Sequence, residues 1–158
     1  MQLNEIFGID EVTYQRKIKV LDTAKKVATE AHKDQKRWNG EAYINHPTRI
    51  SNIFWNDEVK DSFLQKRYFN SKLPEVEKIR KGFSCIITAS VSFLHDVLED
   101  CPAFTLEVLD KEGITQEVLW PVVLLTKLPN ETYHQYLGRL LCSGSVIALS
   151  VKICDILD

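Results

Sequence analysis

Charge of one sign is what this 158-residue sequence lacks: 20 Lys and Arg stand against 22 Asp and Glu, a formal net charge of -2. Such a balance leaves no electrostatic footprint for DNA, RNA or an anionic membrane, so any phosphate contact must be local. No apolar run approaches the ~18 residues needed to span a bilayer. Met1 to Glu5 also lack the basic stretch and apolar core of a secretory leader. The expectation is a cytoplasmic chain with no membrane partner. Cysteine is sparse and scattered at Cys85, Cys101, Cys142 and Cys154, with no Cys-x-x-Cys pair. That spacing excludes a zinc knuckle and a redox motif. Reduced thiols that pack as small hydrophobes are expected, Cys154 beside Asp155 included.

Strand signals are missing too: no sustained alternation and no hairpin turns accompany the apolar segments, so the sequence predicts an all-α fold. At about 100 to 200 residues per domain, the length predicts one domain over residues 1–158. A first helix is predicted from Glu11 to His32, with Ile18, Leu21, Ala24, Val27, Ala28 and Ala31 at helical spacing, running on toward Asn39-Gly40. His32 on that face reads as a hydrogen-bonded core histidine. Residues 37–47 read as a compact loop, with Pro47 holding His46 out of the α region and opening a second helix at Thr48. The polar stretch 56–82 reads as a solvated surface insertion, helical in part. Further helices are expected over Phe83 to Leu98, after Thr105, over Val118 to Leu125 with Pro121 inside, over Thr132 to Cys142, and from Val146 to the last residues.

Chemistry concentrates in Val91-Ser92-Phe93-Leu94-His95-Asp96-Val97-Leu98-Glu99-Asp100. On one helix His95 would stack over Glu99 and Asp96 over Asp100. Three carboxylates near a helix C-terminus oppose the macrodipole, so a positive charge belongs there. His46, held in a rigid turn, is a good metal ligand. Asp155 sits on the buried side of an apolar helix and also requires a cation, because an unpaired buried carboxylate is costly.

Four blocks run in order: Ala31-His32-x-x-Gln35-x-Arg37-x-x-Gly40-x-x-Tyr43-Ile44-x-His46-Pro47, Leu94 to Asp100, Thr126-Lys127-Leu128, and Val151-Lys152-x-x-Asp155. With them the chain resembles the HD-domain metal-dependent phosphohydrolases, and more closely the hydrolase domain of RelA/SpoT-type alarmone enzymes. The resemblance covers most of the chain from about residue 20. It implies an HD-domain helical bundle in which His46, His95, Asp96 and Asp155 bind one divalent ion, usually Mn2+. It assigns Glu99 and Asp100 to the attacking water and places Arg37 at the nucleotide pocket. Trp38 stands where the family commonly has a basic residue, and it can stack on a base. The implied activity is 3′-pyrophosphohydrolysis of ppGpp, a small-molecule nucleotide. Two alternatives stay open: hydrolysis of another nucleotide phosphate, and a non-catalytic nucleotide-binding regulatory module. The 56–82 stretch is longer than the family's link between its His-Pro and His-Asp motifs.

Overall fold

A computed structural model describes residues 11–55 and 75–158. Helix α1 spans Glu11–Ala31 and turns Val20, Leu21, Ala24, Val27 and Ala28 inward. It ends sooner than periodicity predicts, because the backbone of 35–43 finds its partners within itself. Tyr43 N–H donates to the Gln35 carbonyl at 3.0 Å and Arg37 N–H to the Glu41 carbonyl at 2.9 Å. An isolated bridge pairs Lys36 with Ala42. Gly40 closes this loop with φ of +85°, a left-handed conformation that suits a residue without Cβ.

Helix α2 spans Asn45–Phe54 and corrects the expected start at Thr48. His46 and Pro47 lie inside its first turn, not in the preceding loop. Proline costs nothing there, since the first four helical N–H groups have no intrahelical acceptor in any case. The pre-proline preference is weaker than the burial of His46, Pro47, Ile50 and Phe54 on one face.

Helix α3 spans Glu75–Leu94, so the last residues of the supposed insertion are helical; 56–74 lie outside the described residues. The expected continuous helix through Asp100 is broken at His95-Asp96, and a single turn, α4, follows at Val97–Asp100. The cause is local. His95 Nδ1 lies 2.7 Å from the Ser92 carbonyl, the acceptor that a continuing helix would offer to Asp96 N–H.

After these come α5 (Leu106–Lys111), α6 (Gln116–Leu125), α7 (Tyr133–Cys142) and α8 (Val146–Leu157). Their starts are written in the sequence. Thr105 and Ser145 accept from the Val108 and Ala148 N–H groups, and Thr132 with Gln135 forms a reciprocal capping box. Pro121 sits within α6, where its missing N–H leaves the Glu117 carbonyl without a helical donor.

Central to the packing is α3, which contacts α1, α2, α6 and α8. Ile86, Ala89, Val91, Phe93 and Leu94 are buried on it, against Ala24 and Ala28 of α1, Ile50 of α2, Val122 of α6 and Val151 of α8 in one core cluster. Full burial of a side chain such as Leu94 contributes about 1.5–3 kcal/mol. Thr88, Ser90 and Ser92 are buried as well, and each hydroxyl donates to the carbonyl four residues back. All four cysteines are free; Cys85 and Cys101 are buried as expected, whereas Cys142 is exposed. The described residues are all-α, and none of their helices is long and apolar enough to cross a membrane.

Candidate metal centre

Three parts of the fold deliver four donor groups to one point. His46 comes from the first turn of α2, His95 and Asp96 from the break between α3 and α4, and Asp155 from near the end of α8. One ligand atom from each lies within 4.8 Å of the others. His95 Nε2 is 2.9 Å from Asp96 Oδ2 and 3.5 Å from Asp155 Oδ1. His46 Nε2 is 3.1 Å from Asp155 Oδ1 and 3.9 Å from Asp96 Oδ2. Both histidine side chains are nearly inaccessible, at 4% and 3% exposure, while Asp96 and Asp155 are partly exposed.

The far side of each ring decides what the near side can be. His95 Nδ1 faces a backbone carbonyl, which only accepts, so Nδ1 carries the proton. His46 Nδ1 lies 2.8 Å from Asp158 Oδ2 and 2.9 Å from Arg37 Nη1; of the two, only the carboxylate accepts, and it favours a proton on Nδ1. In a neutral imidazole both Nε2 atoms then present bare lone pairs to carboxylate oxygens. Facing lone pairs repel, so this arrangement requires a positive charge between them. His95 Nε2 is also buried with no aligned hydrogen-bond partner.

A proton on an Nε2 atom would supply that charge as well as an ion would. Burial opposes charge on His95, but the carboxylates of Asp155 and Asp96 outweigh it and push its pKa up to about 10. Burial likewise opposes ionisation of Asp155, yet His46, His95 and Lys152 hold its carboxyl well below the usual range. Asp96 is depressed against its burial by His95 and by Tyr43. Two carboxylates converging on two buried imidazoles form a set that could hold a metal ion. Mixed nitrogen and oxygen donors suit manganese, iron, cobalt or zinc.

Several residues that hold this set went unassigned in the sequence reading. Tyr43 Oη donates to Asp96 Oδ2 at 2.5 Å, and its ring stacks on His32 at 4.6 Å and meets His46 edge-on at 5.8 Å. Lys152 Nζ donates to Asp155 Oδ2 at 2.7 Å, which leaves Oδ1 for the histidines. Asp158 receives Arg37 Nη1 at 2.7 Å and Arg49 through Nε at 2.6 Å and Nη2 at 2.8 Å. Lys152 and Asp155 are three apart on α8, and Asp158, three further on, caps its C-terminal end. That spacing was the available signal.

The remaining predicted site residues stand around the set. Glu99 and Asp100 are exposed on α4 and are not among the converging ligands. Glu99 Oε2 accepts from Lys127 N–H at 3.1 Å, which joins the Thr126-Lys127-Leu128 block to the site. Partial burial, then the charges of Asp96 and Glu99, raise the Asp100 pKa. The Arg37 guanidinium is engaged with Asp158, and Trp38 stands 93% exposed on the adjoining loop. His32 is the core histidine expected, with Nδ1 2.7 Å from Gln35 Oε1. No family model matches this chain, and no match is found among curated proteins.

Proposed function

We propose that the chain is a metal-dependent phosphohydrolase of the HD-domain type, with a nucleotide 3′-pyrophosphate such as ppGpp as its substrate. The carrying observation is the convergence of His46, His95, Asp96 and Asp155 with both Nδ1 atoms tied off behind them. His46, His95, Asp96 and Asp155 would hold the ion, with Mn2+ the preferred candidate. When bound, a divalent ion acidifies water and offsets charge on phosphoryl oxygens.

The chain's own residues supply the rest. Glu99 and Asp100 lie one short turn beyond His95-Asp96, and their role is to orient the attacking water and accept its proton. In the reaction a water oxygen bonds to the phosphorus on the 3′-oxygen, the phosphorus–3′-oxygen bond breaks, and the 3′-oxygen leaves as a hydroxyl once protonated. The products are pyrophosphate and GDP. Trp38, exposed on the loop beside Arg37, offers a face for the base. Support for ppGpp in particular comes from the ordered sequence blocks.

The test is Mn2+-dependent release of pyrophosphate from ppGpp by the purified protein, with GTP and dNTPs alongside. Asp96→Ala is expected to abolish metal uptake and release together. Glu99→Gln is expected to keep the metal and lose turnover by about 100- to 10,000-fold. Release from other nucleotides alone would discard the substrate and keep the mechanism. Metal uptake without turnover on any nucleotide would overturn the enzyme reading in favour of a binding module.

A further inference from the structure

His46 is the ligand whose orientation the main chain does not secure. Its Nδ1 meets Asp158 Oδ2 at 2.8 Å, 112 residues away in sequence. Asp158 in turn is held from three directions: Arg37 donates to Oδ2, and Arg49 donates to both oxygens. Arg49 is tied further to Glu41 at 2.5 Å. With its side chain only 16% exposed, this carboxylate is fixed more firmly than an ordinary surface pair. Arg37 Nη1 lies 2.9 Å from His46 Nδ1; with a proton on Nδ1 both atoms donate, and Asp158 Oδ2 is the acceptor within reach of both.

We infer that Asp158 is a positioning residue for metal binding: its carboxylate accepts the His46 Nδ1 proton, fixes the ring, and leaves Nε2 bare toward Asp96 and Asp155. Arg37 and Arg49 act one step further out by holding the carboxylate at the ring. A histidine ligand whose other nitrogen donates to a carboxylate is both oriented and made more basic. The inference rests on the metal reading of the four-residue set, but the hydrogen bond itself does not.

Two measurements separate the inference from that reading. In 15N-imidazole spectra of the metal-free protein, a His46 Nδ1 proton protected from exchange is expected in the wild type and lost in Asp158→Ala. In calorimetric titration with Mn2+, Asp158→Ala is expected to bind roughly 10- to 100-fold more weakly, at a temperature where circular dichroism shows the metal-free variant still folded. Glu41→Gln is the charge control, because it removes one negative charge from the same network and keeps the acceptor at His46. It should shift Mn2+ affinity by less than about fivefold, the scale of an exposed pair. Equal weakening by Asp158→Ala and Glu41→Gln would reduce the effect to general electrostatics and overturn the inference. Retention of the protected proton in Asp158→Ala would also overturn it. A wild type that takes up no Mn2+ but shows the Asp158-dependent proton would instead sink the metal reading.

Discussion

His95 is anchored by main chain, through a Ser92 carbonyl at the end of a helix whose neighbours Val91, Phe93 and Leu94 are buried. His46 is anchored by side chains, through Asp158 and the arginines that clamp it. The two rings offer the same nitrogen to the same carboxylates, at 5.2 Å between centroids. Yet the first is as secure as the core, and the second is as secure as an ion network at the protein's edge. A change that loosens one corner should therefore differ in kind from a change that loosens the other.

The largest effect belongs to the His95 corner. Leu94→Ala removes a fully buried side chain next to that ring and should destabilise the fold by about 2–5 kcal/mol, read by urea unfolding of the metal-free protein. Metal affinity of the molecules that remain folded should fall with it. Unchanged affinity would show that the Ser92 carbonyl holds His95 without support from the packed helix.

Tyr43→Phe probes the space between the corners. It removes the hydroxyl that donates to Asp96 Oδ2 but keeps the ring stacked on His32. Mn2+ affinity should drop by about tenfold, on the scale of lost outer hydrogen bonds to metal ligands, while stability changes by about 1 kcal/mol. An affinity equal to wild type would mean that His95 alone orients Asp96.

The smallest effect is a pH dependence at the His46 corner. Arg49 first, then His46 and Arg37, hold the Asp158 carboxyl well below its ordinary value of 3.8 against a modest cost of burial. A group depressed on folding contributes stability above its unfolded pKa and loses it as pH falls through the folded value. The network should therefore be intact at neutral pH and weaken only under strongly acid conditions. Melting curves of wild type and Asp158→Asn should differ at neutral pH and converge as the pH falls below about 3.8. Curves separated by the same interval at every pH would show that the Asp158 charge does not hold this corner. The Ser92 carbonyl that anchors His95 does not titrate, so that anchor adds no such dependence.

Much of the fold was legible because its signals are local. Helical spacing of apolar residues marked α1, α6, α7 and α8, and Thr105, Thr132 and Ser145 marked starts through the N–H groups that their side chains accept from. The boundaries at His95 and His46 were misplaced by competitions between local and tertiary interactions. At His95 a side chain takes the carbonyl that would continue the helix, and at His46 burial of a helical face overrides the preference imposed by Pro47. Neither competition can be weighed from spacing alone.

Composition, periodicity and capping residues by themselves determined an all-α chain, and the His-Pro, His-Asp and Lys-x-x-Asp blocks in their order singled out His46, His95, Asp96 and Asp155. These are statements about each segment's own backbone and burial, so the sequence carries them. Only the tertiary structure decided that the four side chains meet, that each ring turns Nε2 inward, and that Tyr43, Lys152 and Asp158 hold them there. Those contacts join residues as many as 112 positions apart, and a hydrogen bond is short and directional. It exists only once packing around α3 has brought its partners together.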